Sequence, residues 1–353
     1  MSEETYNITL RTLSPVHIGS GITYRSSEFI EKKIKSIPTI KRINLSKYIS
    51  SLNNKEKEEF LKHLSKSDSE FSNWNSEINS KYVRYIAINN VPKDDKNINP
   101  ISECVKTSER IYIPGSSTKG AIKTALLYHS LNPEDFDNIK KINITNSQYV
   151  NNWMDSFFSF EDKYSNKKDI SQYLRVEDGF SDKLRYPKIY KAWNLKFDKK
   201  NKQSKKNSGI NEYLETTGLK KHFKIKLIIQ NPDFCESNES NLKYLNINYI
   251  KEAAYKFSED LIKYELNYLK NKDANDLKNF YKDLKKKNTS KSPLLRIGYG
   301  SSLMGTTIAL FINKYDKNKE FCKKHAYKYP SSRKVVYTKE GRIPLGWVKL
   351  IVK

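Results

Sequence analysis

Glycine, arginine and tyrosine occur together in residues 293–307, which read Pro-Leu-Leu-Arg-Ile-Gly-Tyr-Gly-Ser-Ser-Leu-Met-Gly-Thr-Thr. Glycine adopts positive φ angles and lets another backbone come close, because it has no side chain. Arg296 can pair with a phosphate through two parallel hydrogen bonds, and Tyr299 can stack on a base or pack in a core. The segment therefore predicts a surface where a bulky anion lies against the main chain. Its candidate contact residues are Arg296, Gly298, Tyr299, Gly300 and Gly305.

A second candidate anion site is the sequence Ile-Pro-Gly-Ser-Ser-Thr-Lys-Gly-Ala-Ile-Lys-Thr-Ala at residues 113–125, where we expect a helix to begin. The start of a helix presents backbone N–H groups without partners, and these attract anions. Ser116 or Ser117 can cap the first turn. Lys119 and Lys123 lie four residues apart and therefore share one helix face, which suits a phosphate or is an ordinary solvated lysine stripe.

Neither of these segments has the spacing of a nucleotide cofactor site. In residues 115–120 the lysine precedes the second glycine, whereas a phosphate-binding loop needs G-x-x-x-x-G-K-[ST]. Residues 298–305 miss the G-x-G-x-x-G pattern of dinucleotide sites. The three cysteines and five histidines show no zinc-ligand spacing. We therefore predict no cofactor and no bound metal.

A third glycine-containing turn, Leu-Ser-Pro-Val-His-Ile-Gly-Ser-Gly at residues 13–21, contains His17. Imidazole titrates near neutral pH, so His17 is a candidate general acid or base, although a structural hydrogen bond or an RNA contact fits the turn equally. Glu28 and Glu31 follow this turn and can in principle hold Mg²⁺ for phosphodiester cleavage. Two lysines follow them directly, so surface ion pairs are the simpler interpretation.

The charge balance favours a polyanionic partner. The chain has 353 residues with 65 Lys plus Arg against 40 Asp plus Glu, a net charge of +25, and a pI of about 9.6. Nucleic acid is the simplest partner for such an excess, and the 24 tyrosines offer faces for base stacking. A solvated basic surface is the alternative. With sparse cysteines, no signal-peptide pattern and no apolar run that could span a membrane, we expect a cytoplasmic protein.

Strand and helix patterns interleave along the chain and predict an α+β protein. Period-two alternation, clearest at residues 5–13, predicts strands at 5–13, 82–89, 173–178, 187–197, 210–217 and 222–230. Helical spacing, clearest at residues 247–270, predicts helices at 117–130, 146–158, 247–270 and 274–286. Residues 45–80 are polar and helical in character and predict a small insertion, and residues 199–207 form a lysine-rich loop.

The segments 13–21, 113–125 and 295–307 together resemble three motifs of the RAMP superfamily of CRISPR-associated proteins. Their order and spacing, with the closing Ile-Pro-Leu-Gly-Trp-Val-Lys at 343–349, are similar to those of a subunit of the type III-A (Csm) effector complex. The resemblance implies two ferredoxin-like (RRM-like) units. These are an N-terminal RAMP unit at 1–180 with the helical insertion at 45–80, and a C-terminal unit at 181–353 with the Gly-rich loop at 296–307. The stretches 45–105 and 146–210 match nothing in the family.

The resemblance also implies a function. Such subunits cap the complex at the 3′ end of the CRISPR RNA (crRNA) and assist crRNA maturation and antiviral defence without being nucleases. The implied partners are crRNA, the backbone RAMP subunit, the other Csm complex subunits and recruited host nucleases, with no membrane. The predicted RNA-binding residues, from these matches and from the chemistry of the tyrosine, are His17, Gly19, Gly21, Ser116, Ser117, Lys119, Lys123, Arg296, Gly298, Tyr299, Gly300 and Gly305.

Two other functions stay open. The related backbone subunit cuts target RNA with an aspartate downstream of its first glycine loop, whereas the comparable residues 24–31 contain Glu28 and no aspartate. This departure argues against cleavage, but an endoribonuclease that uses Glu28 or His17 is the first alternative. The second alternative is a protein-assembly module whose charge is incidental.

Overall fold

The computed structural model describes residues 2–66, 69–95, 98–141, 157–161, 167–197, 204–206, 212–231, 245–324 and 329–353. The chain is an α+β protein, as the sequence pattern predicts. Most of the predicted helix at 146–158 and of the lysine-rich loop at 199–207 lies outside the described residues.

The strands of the described residues are, in chain order, β1 (Ser2–Thr12), β2 (Gly19–Tyr24), β3 (Phe29–Ile34), β4 (Ile37–Ile43), β5 (Val83–Asn89), β6 (Ile101–Cys104), β7 (Lys106–Thr107), β8 (Arg110–Ile111), β9 (Ser159–Glu161), β10 (Lys167–Asp169), β11 (Leu174–Val176), β12 (Lys188–Phe197), β13 (Ser204–Lys206), β14 (Glu212–Thr216), β15 (His222–Asn231), β16 (Leu294–Arg296), β17 (Ser332–Thr338), β18 (Gly341–Pro344) and β19 (Trp347–Val352).

The α-helices of the same residues are α1 (Leu45–Ser50), α2 (Asn54–Leu64), α3 (Phe71–Trp74), α4 (Gly115–Ser130), α5 (Asp135–Lys141), α6 (Ile247–Leu269), α7 (Asn275–Lys287), α8 (Ser302–Thr306), α9 (Ala309–Tyr315) and α10 (Glu320–Lys324). Short 3₁₀ turns lie at Ser26–Glu28, Ser80–Tyr82 and Ile170–Tyr173. In the part of the chain covered by these elements, no helix is long and apolar enough to cross a bilayer.

Five strands form an antiparallel sheet in the order β11-β15-β1-β19-β16, which we call the main sheet. Alternate residues of β1, such as Ile8 and Leu10, are buried on one face of the main sheet. They share a core with Ile122 of α4 and Phe257 of α6, so both helices cover that face. Burial of each such side chain stabilises the fold by about 1.5–3 kcal/mol.

The second sheet follows the path β2-β6-β14-β12-β5-β4-β3, with β13 and β17 also paired to β12 and β18 paired to β17. It is mixed, because β12 runs parallel to β5 and β14 runs parallel to β6. Its own buried cluster includes Tyr24, Ile40 and Tyr213.

The predicted helical segment at 45–80 contains α1, α2 and α3. Tyr48, Phe60 and Phe71 meet edge to face at centroid distances of 5.1–5.9 Å and bury against Ile30 and Ile43 of β3 and β4. This small aromatic cluster lets the segment pack as a unit on the end of the second sheet.

Each sheet takes strands from both sides of residue 180. In the main sheet β1 pairs with β15 and β19, and in the second sheet β6 pairs with β14. The predicted division into units 1–180 and 181–353 therefore does not coincide with the two sheets. The reason is that β1 pairs with β15 and β19, both of which lie in the second half of the chain.

Candidate nucleic-acid interface

The turn at residues 13–21 leaves β1 and places His17 in the interior. His17 is only 4 % exposed, and its Nδ1 lies 2.7 Å from the backbone oxygen of Glu215 and 3.5 Å from Sγ of Cys104. Burial holds the pKa of His17 below its ordinary value, because the charged imidazolium loses its hydration. The predicted role of His17 in acid–base chemistry or RNA contact needs an exposed imidazole, and this ring is buried. The ring instead holds the turn in place through its hydrogen bond.

The Gly-rich loop after β16 packs directly on that turn. The backbone N–H of Tyr299 donates to the carbonyl oxygen of His17 at 2.8 Å. Gly298 has φ +71°, and a Cβ there would lie 2.4 Å from the same oxygen. Only glycine permits both the left-handed backbone and this approach. The close backbone contact that the sequence predicts is thus made within the chain.

Arg296 lies beneath the Gly-rich loop and is 4 % exposed. Its Nε donates to the carbonyl of Leu345 at 3.2 Å, and its Nη2 donates to the carbonyl of Gly300 at 2.8 Å. Its guanidinium carbon sits 5.5 Å from the ring centroid of Trp347. Arg296 therefore holds the loop in place. Its guanidinium is buried and is not exposed for the predicted phosphate contact.

Tyr299 extends from the loop towards solvent and is 37 % exposed. Its hydroxyl donates to Glu212, and Nζ of Lys334 lies 5.3 Å from its ring centroid. Burial and the hydrogen bond to Glu212 raise the pKa of Tyr299. Tyr299 is therefore not the core aromatic that the sequence left open.

Helix α4 begins at Gly115, two residues before the predicted start, and Pro114 is the residue before its first turn. The expectation that Ser116 or Ser117 caps this helix is wrong. The residue at the cap position is Pro114, and its side chain accepts no hydrogen bond from the first turn. The backbone N–H of Gly115 donates instead to Oδ1 of Asp178 at 2.8 Å. Asp178 lies 63 residues away, so no local pattern could have identified it.

Gly115 also fits a close packing contact, since a Cβ there would lie 1.9 Å from the carbonyl oxygen of Val176 in β11. The serines that follow remain accessible, with Ser116 exposed and Ser117 half-buried. The helix start is therefore anchored by the backbone of the glycine.

The two predicted lysines of α4 differ in their surroundings. Nζ of Lys123 lies 3.4 Å from Asp169 and 3.1 Å from the hydroxyl of Ser171, and it sits 4.7 Å from the ring centroid of Phe158. The side chain of Lys119 makes no ion pair or hydrogen bond within the described residues. Burial, and the charge of Lys123, lower the pKa of Lys119. Lys119 is thus the cation of this helix with capacity for a phosphate.

The three motif segments are neighbours in space. The turn at 13–21 and the loop at 298–300 contact each other through the backbone bond between Tyr299 and His17. Lys123 and Thr124 of α4 line a cavity of about 140 Å³ together with Thr306 and Thr307, at the end of the Gly-rich loop. These contacts therefore link the three motif segments, although two of the predicted site residues, His17 and Arg296, are buried. Within these segments Ser116, Gly19, Gly21 and Gly120 are exposed or half-buried, whereas Gly305 is buried.

A buried polar network behind the first turn was not predicted. Glu215 in β14 is fully buried, and its carboxylate accepts hydrogen bonds from the hydroxyls of Tyr24 and Tyr85, both at 2.8 Å. It also accepts from the backbone N–H of Cys104 at 3.0 Å and from Nζ of Lys106. Burial raises the pKa of the Cys104 thiol to about 12, so this thiol is not a nucleophile at neutral pH. The network ties β2, β5, β6 and β14 to the turn that contains His17.

Glu28, one of the two glutamates weighed for metal binding, is engaged by neighbouring groups of the chain. Oε1 of Glu28 lies 2.9 Å from Nη2 of Arg42, and Oε2 accepts from the backbone N–H of Arg25 at 2.9 Å. No group of three potential metal ligands occurs in the ranges that the structure describes. Glu28 therefore serves as a local structural acceptor between β3 and β4.

Known proteins resemble this chain along most of its length. One relative, called CRISPR system Cms protein Csm5 from Methanocaldococcus jannaschii, is 24 % identical over 396 aligned positions that cover 98 % of this chain and 88 % of the relative. A protein of the same name from Enterococcus italicus is 29 % identical over 175 positions, covering 38 % of this chain and 48 % of that protein.

Solved structures show the same fold. A chain in the cryo-EM structure of a Csm–crRNA–target RNA ternary complex of a type III-A CRISPR-Cas system superposes with a TM-score of 0.69 at 19 % identity, covering 99 % of this chain and all of that one. The crystal structure of Csm5 from T. onnurineus gives a TM-score of 0.66 at 20 % identity, covering 96 % and 99 % of the two chains. The model of the RAMP superfamily matches residues 9–303, and the chain belongs to that superfamily.

Proposed function

We propose that this chain is a crRNA-binding subunit of a type III-A CRISPR effector complex, that it caps the 3′ end of the crRNA, and that it assists crRNA maturation without cutting RNA. The observation that supports this most is the agreement of two facts. A relative called Csm5 matches the chain nearly end to end, and contacts link the three RAMP motifs to one another in the fold.

The proposed partners are crRNA, the backbone RAMP subunit and the other Csm subunits, with recruited host nucleases as a further class. The superposed chain comes from a complex that contains crRNA and target RNA, which supports this choice. The net charge of +25 supplies the attraction to phosphates.

Contact with RNA is proposed to be mostly independent of sequence. Lys119 is a cation without a protein partner in the described residues, and Ser116 and Ser117 are accessible beside the start of α4, where the helix dipole is positive. Tyr299 offers part of its ring to a base. Phosphate and ribose contacts of this kind fix the position of a strand but do not select a base.

Two features support a subunit that does not cleave RNA. His17 is buried with a lowered pKa, and Glu28 is engaged by Arg42. A general base must reach the proton it abstracts, and a metal ligand must turn its oxygens towards an open site. Neither condition is met in this arrangement of the chain, which disfavours the endoribonuclease alternative.

The finer architecture is also proposed. The chain order β1, α4, β11, β15, α6, β19 and the antiparallel sheet order β11-β15-β1-β19 correspond to the β-α-β-β-α-β pattern of a ferredoxin-like unit. This unit draws on both ends of the chain, with the Gly-rich loop inserted before β19. A second such unit stays a proposal.

The test is reconstitution of the effector complex with and without this chain, followed by sequencing of the 3′ ends of the co-purified crRNA. We expect uniform, shortened ends with the chain and longer, heterogeneous ends without it. Identical ends in the two preparations would remove the capping function. RNA cleavage by the purified chain, lost on Glu28→Ala or His17→Ala, would favour the endoribonuclease. RNA affinity that is weak and flat with salt would favour the assembly module.

A further inference from the structure

One face of the main sheet is left uncovered by α4 and α6. On β1 the side chains of Ile8 and Leu10 are buried under the helices, so those of Asn7, Thr9 and Arg11 lie on the opposite face. Asn7 and Arg11 are exposed and Thr9 is half-buried. We call this surface the open face.

Cations flank the central strand of the open face on both sides. On β15, Lys224 pairs with Thr9 and Lys226 pairs with Asn7 in the strand register, and both lysines are exposed. On β19, Lys349 lies opposite Arg11. Adjacent strands are about 4.8 Å apart, so the strand that contains Lys224 and Lys226 and the strand that contains Lys349 lie about 10 Å from each other on the two sides of β1.

A groove of about 970 Å³ runs along this face. It is lined by β1, β15, β11 and the segment after β11, with Lys224, Lys226 and Arg175 among its cations. Phe180 lies at the edge of the groove and is 37 % exposed. Its ring stacks on that of Tyr112 at a centroid distance of 5.6 Å and an interplanar angle of 25°. The groove therefore combines fixed positive charge with an aromatic platform.

Acidic residues near the groove do not neutralise it. Lys224 pairs with Asp182 at 2.6 Å, but both side chains are largely exposed, and such surface pairs are weak and screened. Arg175 lies 3.9 Å from Glu177, while Asp178 is occupied by the start of α4. Arg11 and Lys226 form no ion pair within the described ranges.

The groove is continuous with the candidate interface. Ile113, just before α4, pairs with Gly179, and Phe180 pairs with Lys224. Asp178, which binds the first N–H of α4, also lines the groove. The start of α4 and the open face are therefore separated by only a few residues of the protein. An RNA strand bound at the start of α4 would reach the open face directly.

We propose that the open face is a second binding surface for single-stranded RNA, with Arg11, Lys224 and Lys226 on its phosphates and the Phe180–Tyr112 pair stacking a base. The inference rests on the proposed function and extends it to a surface that none of the three motifs includes. An acidic protein would also suit the charge. The aromatic platform beside the cations favours RNA, because a single strand can stack a base on the rings while its phosphates pair with the neighbouring lysines.

The test measures the affinity of the full-length chain for a single-stranded RNA with a crRNA 3′ sequence, across a salt series. The face variant is Lys224→Gln with Lys226→Gln, which keeps most of the side-chain length and removes two charges. The charge-matched control is Lys282→Gln with Lys286→Gln on the exposed side of α7, away from the groove. A third arm, Lys119→Ala with Lys123→Ala, reports on the candidate interface of the proposed function. Circular dichroism of every variant checks folding.

We expect the face variant to bind on the order of tenfold more weakly than the control, with a salt slope shallower by about 1.4, since each phosphate contact on a single strand contributes about 0.7. A face variant that matches the control overturns the inference but leaves the proposed function intact if the third arm loses affinity. A face variant with unchanged RNA affinity that drops an effector subunit from the reconstituted particle assigns the face to a protein and overturns the inference. No RNA binding by the unsubstituted chain, alone or in the particle, overturns both proposals.

Discussion

Gly298 is the residue at which the turn after β1 and the loop after β16 come closest. Its φ of +71° and the 2.4 Å that would separate a Cβ from the carbonyl oxygen of His17 leave no space for alanine. We expect Gly298→Ala to lower the free energy of unfolding by about 2–4 kcal/mol, because the left-handed backbone and the contact with a rigid carbonyl both oppose the methyl group. Denaturant unfolding followed by circular dichroism measures this.

Gly120→Ala is the matched control. Gly120 lies within α4 and is exposed, and a methyl group added there would meet no neighbouring atom within 4 Å. Alanine is the better helix former, so this substitution should raise stability by about 0.5–1 kcal/mol. Equal effects of the two substitutions would contradict the assignment of Gly298 to internal packing.

The sequence identifies the candidate site residues by their chemical type but does not reveal which of them are exposed. Arg296, Tyr299 and His17 have the chemistry of an RNA site, and their motifs meet in the fold. Their exposure depends on contacts with distant residues, since Arg296 binds the carbonyl of Leu345 and His17 binds that of Glu215. Composition cannot show such pairings, so the motifs indicate a region and leave open which side chains reach its surface.

At the scale of elements, Glu215 joins four strands of the second sheet to the first turn. Its ion pair with Lys106 is buried on both sides, with exposures of 0 % and 4 %. We expect Glu215→Gln to destabilise the chain by about 3–5 kcal/mol, because Lys106 loses a buried counter-charge and, among the described residues, keeps Glu103 at 3.4 Å. Thermal unfolding and denaturant titration of the purified variant measure the loss.

A double-mutant cycle separates this pair from general damage to the core. Lys106→Met alone leaves Glu215 uncompensated, whereas the double variant Glu215→Gln with Lys106→Met removes both charges. The double variant should lose clearly less than the sum of the two single losses. Strict additivity would mean that Glu215 and Lys106 stabilise the sheet independently.

Periodicity predicts single elements well in this chain. It finds β1, β12, α6 and α7 to within a few residues. It fails at the start of α4, where the acceptor for the first N–H is Asp178 and not a neighbouring serine. Helix caps supplied by residues far along the chain have no local signature, so the predicted start is displaced by two residues.

At the scale of the whole molecule, the order in which the strands pair is the feature that the sequence does not reveal. The alternation of apolar and polar residues in β1 is compatible with any antiparallel partner strand. In the fold, β1 pairs with β15 and β19, both from the second half of the chain. Chain closure over such a distance depends on which apolar faces fit together. The main sheet consequently joins the ends of the chain and positions the turn at 13–21 against the Gly-rich loop.

This topology makes a prediction about the division at residue 180. The segment 1–180 contains β1 without β15 and β19, and the segment 181–353 contains β15 and β19 without β1. Each fragment would expose a sheet edge and half of the core shared by Ile8 and Phe257. We expect neither fragment to unfold cooperatively on heating when it is produced alone, and we expect co-produced fragments to associate and regain the circular dichroism spectrum of the intact chain. A fragment that melts cooperatively by itself would show that the two halves are independent units, and the main sheet would then not be what holds the motif turn and the loop together.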